Sequence, residues 1–309
     1  MPQANSKISK KSMQNSALIF ADGKLGVGLG HFSRCCALAY LLEQYHFRVQ
    51  LFDSATLQEN LQPSFLIVID SYVLGLDSYV LATQYAPNCL FFDDTLRLPY
   101  PPSILLNNAF GADLKAYSLK YPHHKLWIGR GYPLLQEPFL KSLRQKKCIK
   151  EHISDVLVTL GGEDICNLMP KLLAMLLKNY PDLKLHYTYP KDLNLGEQTQ
   201  RYEKLSPQEM QSLMQKVDIA LCAGGQTLGE LLACGVPCIA LETAQNQRFN
   251  LEGYAKDILQ FFDITSNLPS QIRNALESIK SQQKRQQMSD EAQNFFLGEN
   301  LWENALKSF

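Results

Sequence analysis

The stretch Asp218-Ile-Ala-Leu-Cys-Ala-Gly-Gly-Gln-Thr-Leu-Gly-Glu230 carries the fold in miniature. An apolar run closes on two glycines, and a helix-forming segment then brings a hydroxyl and a carboxylate three residues apart. The run at 219–222 reads as a strand buried on both faces, and 227–233 reads as the helix that follows it. Strand, glycine turn and helix is the repeating unit of parallel α/β sheets.

Upstream, the same unit recurs as strand 156–160, the turn Gly161-Gly162, helix 167–178, strand 184–189 and helix 207–216. Downstream comes strand 238–241. An earlier series opens with strand 17–20 and the Gly/Asp-rich loop 22–30, then a helix from His31. In that helix Phe32, Cys35, Leu38, Ala39 and Leu42 recur at three- and four-residue steps, which predicts one buried face. Strands 48–52, 65–70, 89–92 and 104–106 and a helix at 76–85 complete the first half. Residues 130–150 turn Gly-, Pro- and then Lys-rich, as linkers do. The expected organisation is a polar extension at 1–15, a Rossmann-like domain at 16–145 and a second one at 146–309, facing each other across a cleft. The segment 269–309 reads as helical, with 280–287 as a solvated face.

Composition narrows the function. The 309 residues are 46% hydrophobic and 19% charged, and 30 Lys plus Arg balance 30 Asp plus Glu. No net field draws the chain to nucleic acid or to an anionic membrane, so neither is an expected partner. No apolar run reaches the roughly 18–20 residues of a membrane helix, and residues 1–15 lack the apolar stretch of a signal peptide. The expectation is a soluble, cytoplasmic protein. The eight cysteines form no C-x-x-C and read as buried, reduced packing residues.

Parallel sheets bind ligands beyond the carboxyl ends of their strands, where helix N-termini offer free amides. All three glycine turns fall there. In Gly26-Val-Gly28-Leu-Gly30-His31, the glycines let bare backbone approach an anion. A rival reading is a dinucleotide fingerprint, since Gly28-x-Gly30-x-x-Ser33 approximates G-x-G-x-x-G and Asp53 ends the second strand; the third glycine is absent. A purely structural turn is the third possibility. His31, on the first helical turn beyond the loop, is the best general-base candidate, whereas His46, His123, His124, His152 and His186 read as structural. In the second half, Gly224, Gly225 and Thr227 open a helix suited to a diphosphate, and Glu230 can accept hydrogen bonds from both hydroxyls of a ribose. The bland alternative is a capping box between Thr227 and Glu230. The amides of Ala244-Gln-Asn-Gln247 follow at another strand end and suit phosphate, sugar or acetamido oxygens.

The pattern A-G-G-Q-T-L-G-E-L-L-A-C-G-V-P followed by A-Q-N-Q resembles the donor-binding half of glycosyltransferase-B-fold enzymes of the MurG type. Residues 28–39, G-x-G-H-x-x-R-C-x-x-L-A, resemble the pseudaminic acid pathway hydrolases that remove UDP from UDP-2,4-diacetamido-2,4,6-trideoxy-β-L-altropyranose. Similarity continues through Ile69-Asp-Ser-Tyr72, Phe92-Asp-Asp94, Leu105-Leu-Asn-Asn108, Ile128-Gly-Arg-Gly-Tyr-Pro-Leu-Leu-Gln-Glu-Pro-Phe139 and Leu160-Gly-Gly-Glu-Asp-Ile-Cys-Asn167.

The resemblance implies a two-domain glycosyltransferase-B fold and hydrolysis of a UDP-linked diacetamido sugar by water, with inversion and without cofactor. It makes His31 the catalytic histidine, with Tyr72 and Asn246 assisting and Glu230 on the ribose. Substrate contacts are expected from Gly28, Gly30, Arg34, Asp94, Asn108, Gly161, Gly162, Gly224, Gly225, Thr227 and Gln247. Gln226 and Gly229 depart from the family pattern. Asp93-Asp94 is not a D-x-D motif and no His/Asp cluster has ligand spacing, so no metal is expected. Two-carboxylate glycosidase chemistry among Asp70, Asp93 and Asp94 stays open. The alternatives are a UDP-sugar-dependent transferase and a non-catalytic nucleotide-sugar-binding protein.

Overall fold

Side chains alternate along β1 (Ser16–Ala21). Ala17, Ile19 and Ala21 join one core with Cys35, Leu38 and Leu42 of the Gly30–Gln44 helix, while Leu18 and Phe20 join another with Tyr79, Phe91 and Tyr117. A strand buried on both faces reads as a continuous apolar run and takes parallel partners. The computed structural model describes residues 15–23, 30–161, 164, 166–254, 258–263, 267–298 and 300–309. In the first sheet, β2 (Arg48–Asp53) precedes β1, and β3 (Leu66–Asp70), β4 (Asn88–Phe92), β5 (Ile104–Asn107) and β6 (Lys125–Ile128) follow, all parallel. In the second, the order is β12 (Leu259–Asp263), β11 (Cys238–Glu242), β10 (Ile219–Ala223), β7 (Asp155–Thr159), β8 (Lys184–Thr188) and β9 (Thr199–Tyr202), again parallel.

Each order reverses once. In the first sheet β1 lies between β2 and β3, with Ala21 in register with Asp70. In the second β7 lies beside β10, with Thr159 in register with Cys222. Connections diverge on either side of such a switch point, which leaves a crevice beyond the carboxyl ends. Both crevices open onto the same inter-sheet cleft, because hydrogen bonds from Asn246 to Tyr72 and from Ser33 to Glu230 span it.

Several expectations are corrected. β6, β9 and β12 go unread in the sequence; all are edge strands of four or five residues, which need no long apolar run. Phe32 is 40% exposed, because its helix turns His31 and Arg34 inward instead. Cys148 is exposed rather than packed.

The 130–150 segment is no loose tether. Tyr132 and Leu134 belong to the first sheet's core with Cys35 and Leu38, and Leu135 and Phe139 to a core of the second sheet with Ala220 and Leu228. Lys147 is buried, donating to the carbonyls of Met214 and Gln215 at the end of the Pro207–Lys216 helix, and burial pulls its ammonium down to about 8. Within 280–287, expected to be solvated, Arg285 is fully buried because it donates to the carbonyls of Ile279, Lys280, Lys150 and Glu151. At the C-terminal end Trp302, Ala305 and Leu306 return to the first core, where the Trp302 indole donates to the Pro133 carbonyl at 2.8 Å.

Candidate active site

β3 ends in Asp70, which is 1% exposed and so must have its charge and lone pairs met by protein. They are. Oδ1 takes His31 Nδ1 at 2.6 Å and Arg34 Nη2 at 2.6 Å, and Oδ2 takes Arg34 Nε at 2.5 Å. His31 and Arg34 lie one helical turn apart on the Gly30–Gln44 helix, the spacing that lets both reach one strand end. Arg34 also forks onto Asp94 through Nη1 and Nη2, both at 2.9 Å, with its guanidinium 4.5 Å from the Phe92 ring centre. Asp94 Oδ2 accepts the Tyr72 hydroxyl at 2.6 Å, and Asn246 donates to that hydroxyl at 3.2 Å from the other side of the cleft. The Tyr72 ring meets the His31 ring edge-on at 4.5 Å.

Electrostatics follow from this geometry. Burial by itself would raise Asp70, but the Arg34 guanidinium and the His31 ring outweigh it and hold the carboxyl well below the usual carboxylate range. Burial and the Asp94 charge push the Tyr72 phenol far above its ordinary value, so Tyr72 stays a neutral donor. His31 Nδ1 lies 2.6 Å from Asp70 Oδ1, which only accepts, and farther, 3.1 Å, from Arg34 Nη2, which only donates and is already bound to Asp70 and Asp94; the shorter contact puts the hydrogen on Nδ1 and leaves Nε2 as a proton acceptor.

The nucleotide side expected from the sequence lies across the cleft. Gly225 caps the Gln226–Ala233 helix without any side-chain hydrogen bond, so the Thr227–Glu230 capping box is absent; Thr227 is half-buried in the first turn. Gln226, a departure from the family pattern, donates to the Leu134 carbonyl of the crossing segment at 2.7 Å. Glu230, 6% exposed, accepts from the Ser33 hydroxyl at 3.2 Å, and burial pushes its carboxyl up to about 7, only partly opposed by that hydrogen bond. Gln247 is turned to the protein itself: its Oε1 accepts from the amides of Gly224 (3.3 Å) and Thr243 (3.0 Å), bracing the glycine turn. Asn250 holds the Gly224 carbonyl at 2.9 Å.

Gly30 starts its helix in open space, and Gly161 has φ +86°, a left-handed turn that glycine alone adopts freely. Gly28 and Gly162 lie outside the described residues. Asn108 follows β5 half-buried, while its neighbour Asn107 is buried and donates to the Tyr117 hydroxyl. Asp53 accepts from the Ala55 amide as the cap of a short helical turn. Among the described residues, no three of His, Cys, Asp and Glu gather as metal ligands.

Sequence reasoning left Asp70 without a defined role and missed Asp22, Arg97, Ser33 and Gln136. Asp22, just past β1, accepts from the Tyr72 amide at 2.8 Å, and Arg97 donates to the Ser71, Tyr72 and Leu74 carbonyls, so the loop bearing Tyr72 is held from two sides. The available signal was an acid at the carboxyl end of each of two adjacent strands.

No family model matches the chain. In sequence it is 27% identical over 237 residues to a Helicobacter pylori protein, pseudaminic acid cytidylyltransferase and UDP-2,4-diacetamido-2,4,6-trideoxy-beta-L-altropyranose hydrolase. That match covers 74% of this chain and 44% of the relative, so the chain spans less than half of that protein's length. Among solved structures, the glycotransferase of kitacinnamycin superposes with TM-score 0.63 at 14% identity, covering 94% of this chain and 97% of that one. MurG of Acinetobacter baumannii gives 0.58 at 14%, covering 90% and 94%. The chain is thus similar in sequence to a protein named for both pseudaminic acid cytidylyl transfer and UDP-sugar hydrolysis, and is built on the glycosyltransferase-B fold.

Proposed function

We propose that this protein is a nucleotide-sugar hydrolase that releases UDP from UDP-2,4-diacetamido-2,4,6-trideoxy-β-L-altropyranose, a step of pseudaminic acid synthesis. The observation that carries the reading is the 2.6 Å contact of His31 Nδ1 with Asp70, which dedicates Nε2 to accepting a proton. A water oxygen bonds to the anomeric carbon from the face opposite the leaving group. The bond from that carbon to the β-phosphate oxygen breaks, its electron pair departs with UDP, and the water's proton passes to Nε2, so the sugar is released with inverted configuration. Asp70, Asp94 and Arg34 together carry one net negative charge, so the proton arriving on His31 neutralises the cluster. General-base help of this kind contributes about 10²–10⁴-fold.

The amides that open the Gln226–Ala233 helix receive the diphosphate, the Gly224 amide being held by the Leu241 carbonyl and Gln247, and each favourable charge there contributes roughly 0.3–1 kcal/mol. Tyr72, its hydrogen committed to Asp94, and Asn246, one N–H committed to Tyr72, line the sugar side; the Asn246 carbonyl remains for an acetamido N–H. The similarity to a protein named for this hydrolysis supports the choice of substrate.

UDP release from this donor with no acceptor present tests the reading. Wild type turns over in water alone, and His31→Gln loses roughly a hundredfold or more in kcat while retaining UDP affinity. Release only after a sugar or lipid-linked sugar is added makes the protein a transferase, and UDP binding without turnover makes it a binding protein.

A further inference from the structure

Ser33 occupies the position where a dinucleotide fingerprint would carry its third glycine, and the structure gives it a different job. It lies two residues after His31 on the first turn of the Gly30–Gln44 helix, and its hydroxyl donates to Glu230 Oε1 across the cleft at 3.2 Å. Gln136, from the crossing segment between the two sheets, donates its amide to Ser33 Oγ at 3.1 Å. An amide N–H can only donate, so the single Ser33 proton is committed to Glu230. Glu230 is 6% exposed, and Oε2 accepts from none of the described residues. One carboxylate oxygen is therefore pinned by the opposite half of the molecule and the other is held back.

We propose that Ser33 is a positioning residue acting through Glu230: the Gln136–Ser33–Glu230 chain fixes Oε1 so that Oε2 is presented to the ribose hydroxyls of the nucleoside diphosphate. This rests on the reading of Glu230 as the ribose acceptor. It also ties ribose recognition to the helical turn that carries His31, so the nucleotide side and the base are set by one link.

Titration calorimetry with UDP and with 2′-deoxy-UDP separates the alternatives, applied to wild type, Ser33→Ala, Ser33→Thr, Gln136→Leu and Glu230→Gln. The expected wild-type preference for UDP is about tenfold, the worth of one hydrogen bond to a charged group. Ser33→Ala and Gln136→Leu bring the ratio toward one by weakening UDP more than 2′-deoxy-UDP, which has only the 3′-hydroxyl to lose, and Ser33→Thr, which restores the hydroxyl, keeps the preference. A ratio unchanged in Ser33→Ala, or equal weakening of both ligands, overturns the proposal and makes Ser33 a packing residue. If Glu230→Gln abolishes the preference while Ser33→Ala does not, only the relay falls. If wild type shows no preference and Glu230→Gln changes nothing, the ribose reading falls and the relay with it.

Discussion

Glu230→Gln removes a buried charge while keeping the shape and an acceptor for Ser33. In the native protein, burial raises this carboxyl from its ordinary 4.5 to about 7. Each tenfold displacement of a protonation equilibrium is worth about 1.4 kcal/mol, so ionised Glu230 costs the fold on the order of 3 kcal/mol. The sign is set by which state loses its proton first. Below about 4.5 the group is protonated both folded and unfolded and costs nothing. As pH rises from 4.5 to about 7 the unfolded chain ionises first, so stability falls, and above 7 the full cost stays. The Gln variant has no such term. Thermal unfolding at pH 5 and pH 8 should show the variant near wild type at the lower pH and several degrees more stable at the higher. UDP binding runs the other way: ribose hydroxyls donate to the carboxylate, so wild-type affinity gains from pH 5.5 to 8 beyond the gain in Glu230→Gln, whose slope reports the nucleotide's own phosphate. A stability difference independent of pH, or wild type gaining on the variant as pH rises, would refute the argument.

Arg34→Met leaves Asp70 and Asp94 buried without their cation and should cost about 3–5 kcal/mol in urea unfolding, with Arg34→Lys intermediate because an ammonium cannot fork onto both carboxylates. Asp70→Asn lets the imidazole carry its hydrogen on Nε2 and should lower kcat by up to about 10⁴-fold, with the UDP dissociation constant unchanged in calorimetry. UDP release should persist in chelator, because the Asp70 and Asp94 oxygens are already engaged by His31, Arg34 and Tyr72; loss of activity restored by a divalent cation would count against the mechanism.

The strands at the middle of each sheet were legible because both faces are buried and the runs at 17–20, 66–69 and 219–222 are continuously apolar. The edge strands were not, since a segment such as Thr199–Tyr202 is only half-buried and carries polar residues. At the site, His31 could be placed from its position beyond a strand end, and Tyr72 and the assisting role of Asn246 only through the family resemblance; the structure brings the three together, Asn246 coming from the other sheet. The role of Asp70 depends on partners 36 and 39 residues away, brought to the end of β3 by the packing of the Gly30–Gln44 helix within the first half, and that of Ser33 on a partner 197 residues away, fixed by how the two halves meet; neither is a local pattern. Gln247 illustrates the converse: an amide at a strand end suits a ligand on paper, yet its oxygen is spent on the backbone of the turn.

Carrying out the reaction in ¹⁸O-labelled water and weighing both products by mass spectrometry tests the central claim most directly. Attack of water at the anomeric carbon, with His31 as base, puts the label in the released sugar and leaves UDP unlabelled. Label in the β-phosphate of UDP would mean that water attacks phosphorus, and would contradict the account.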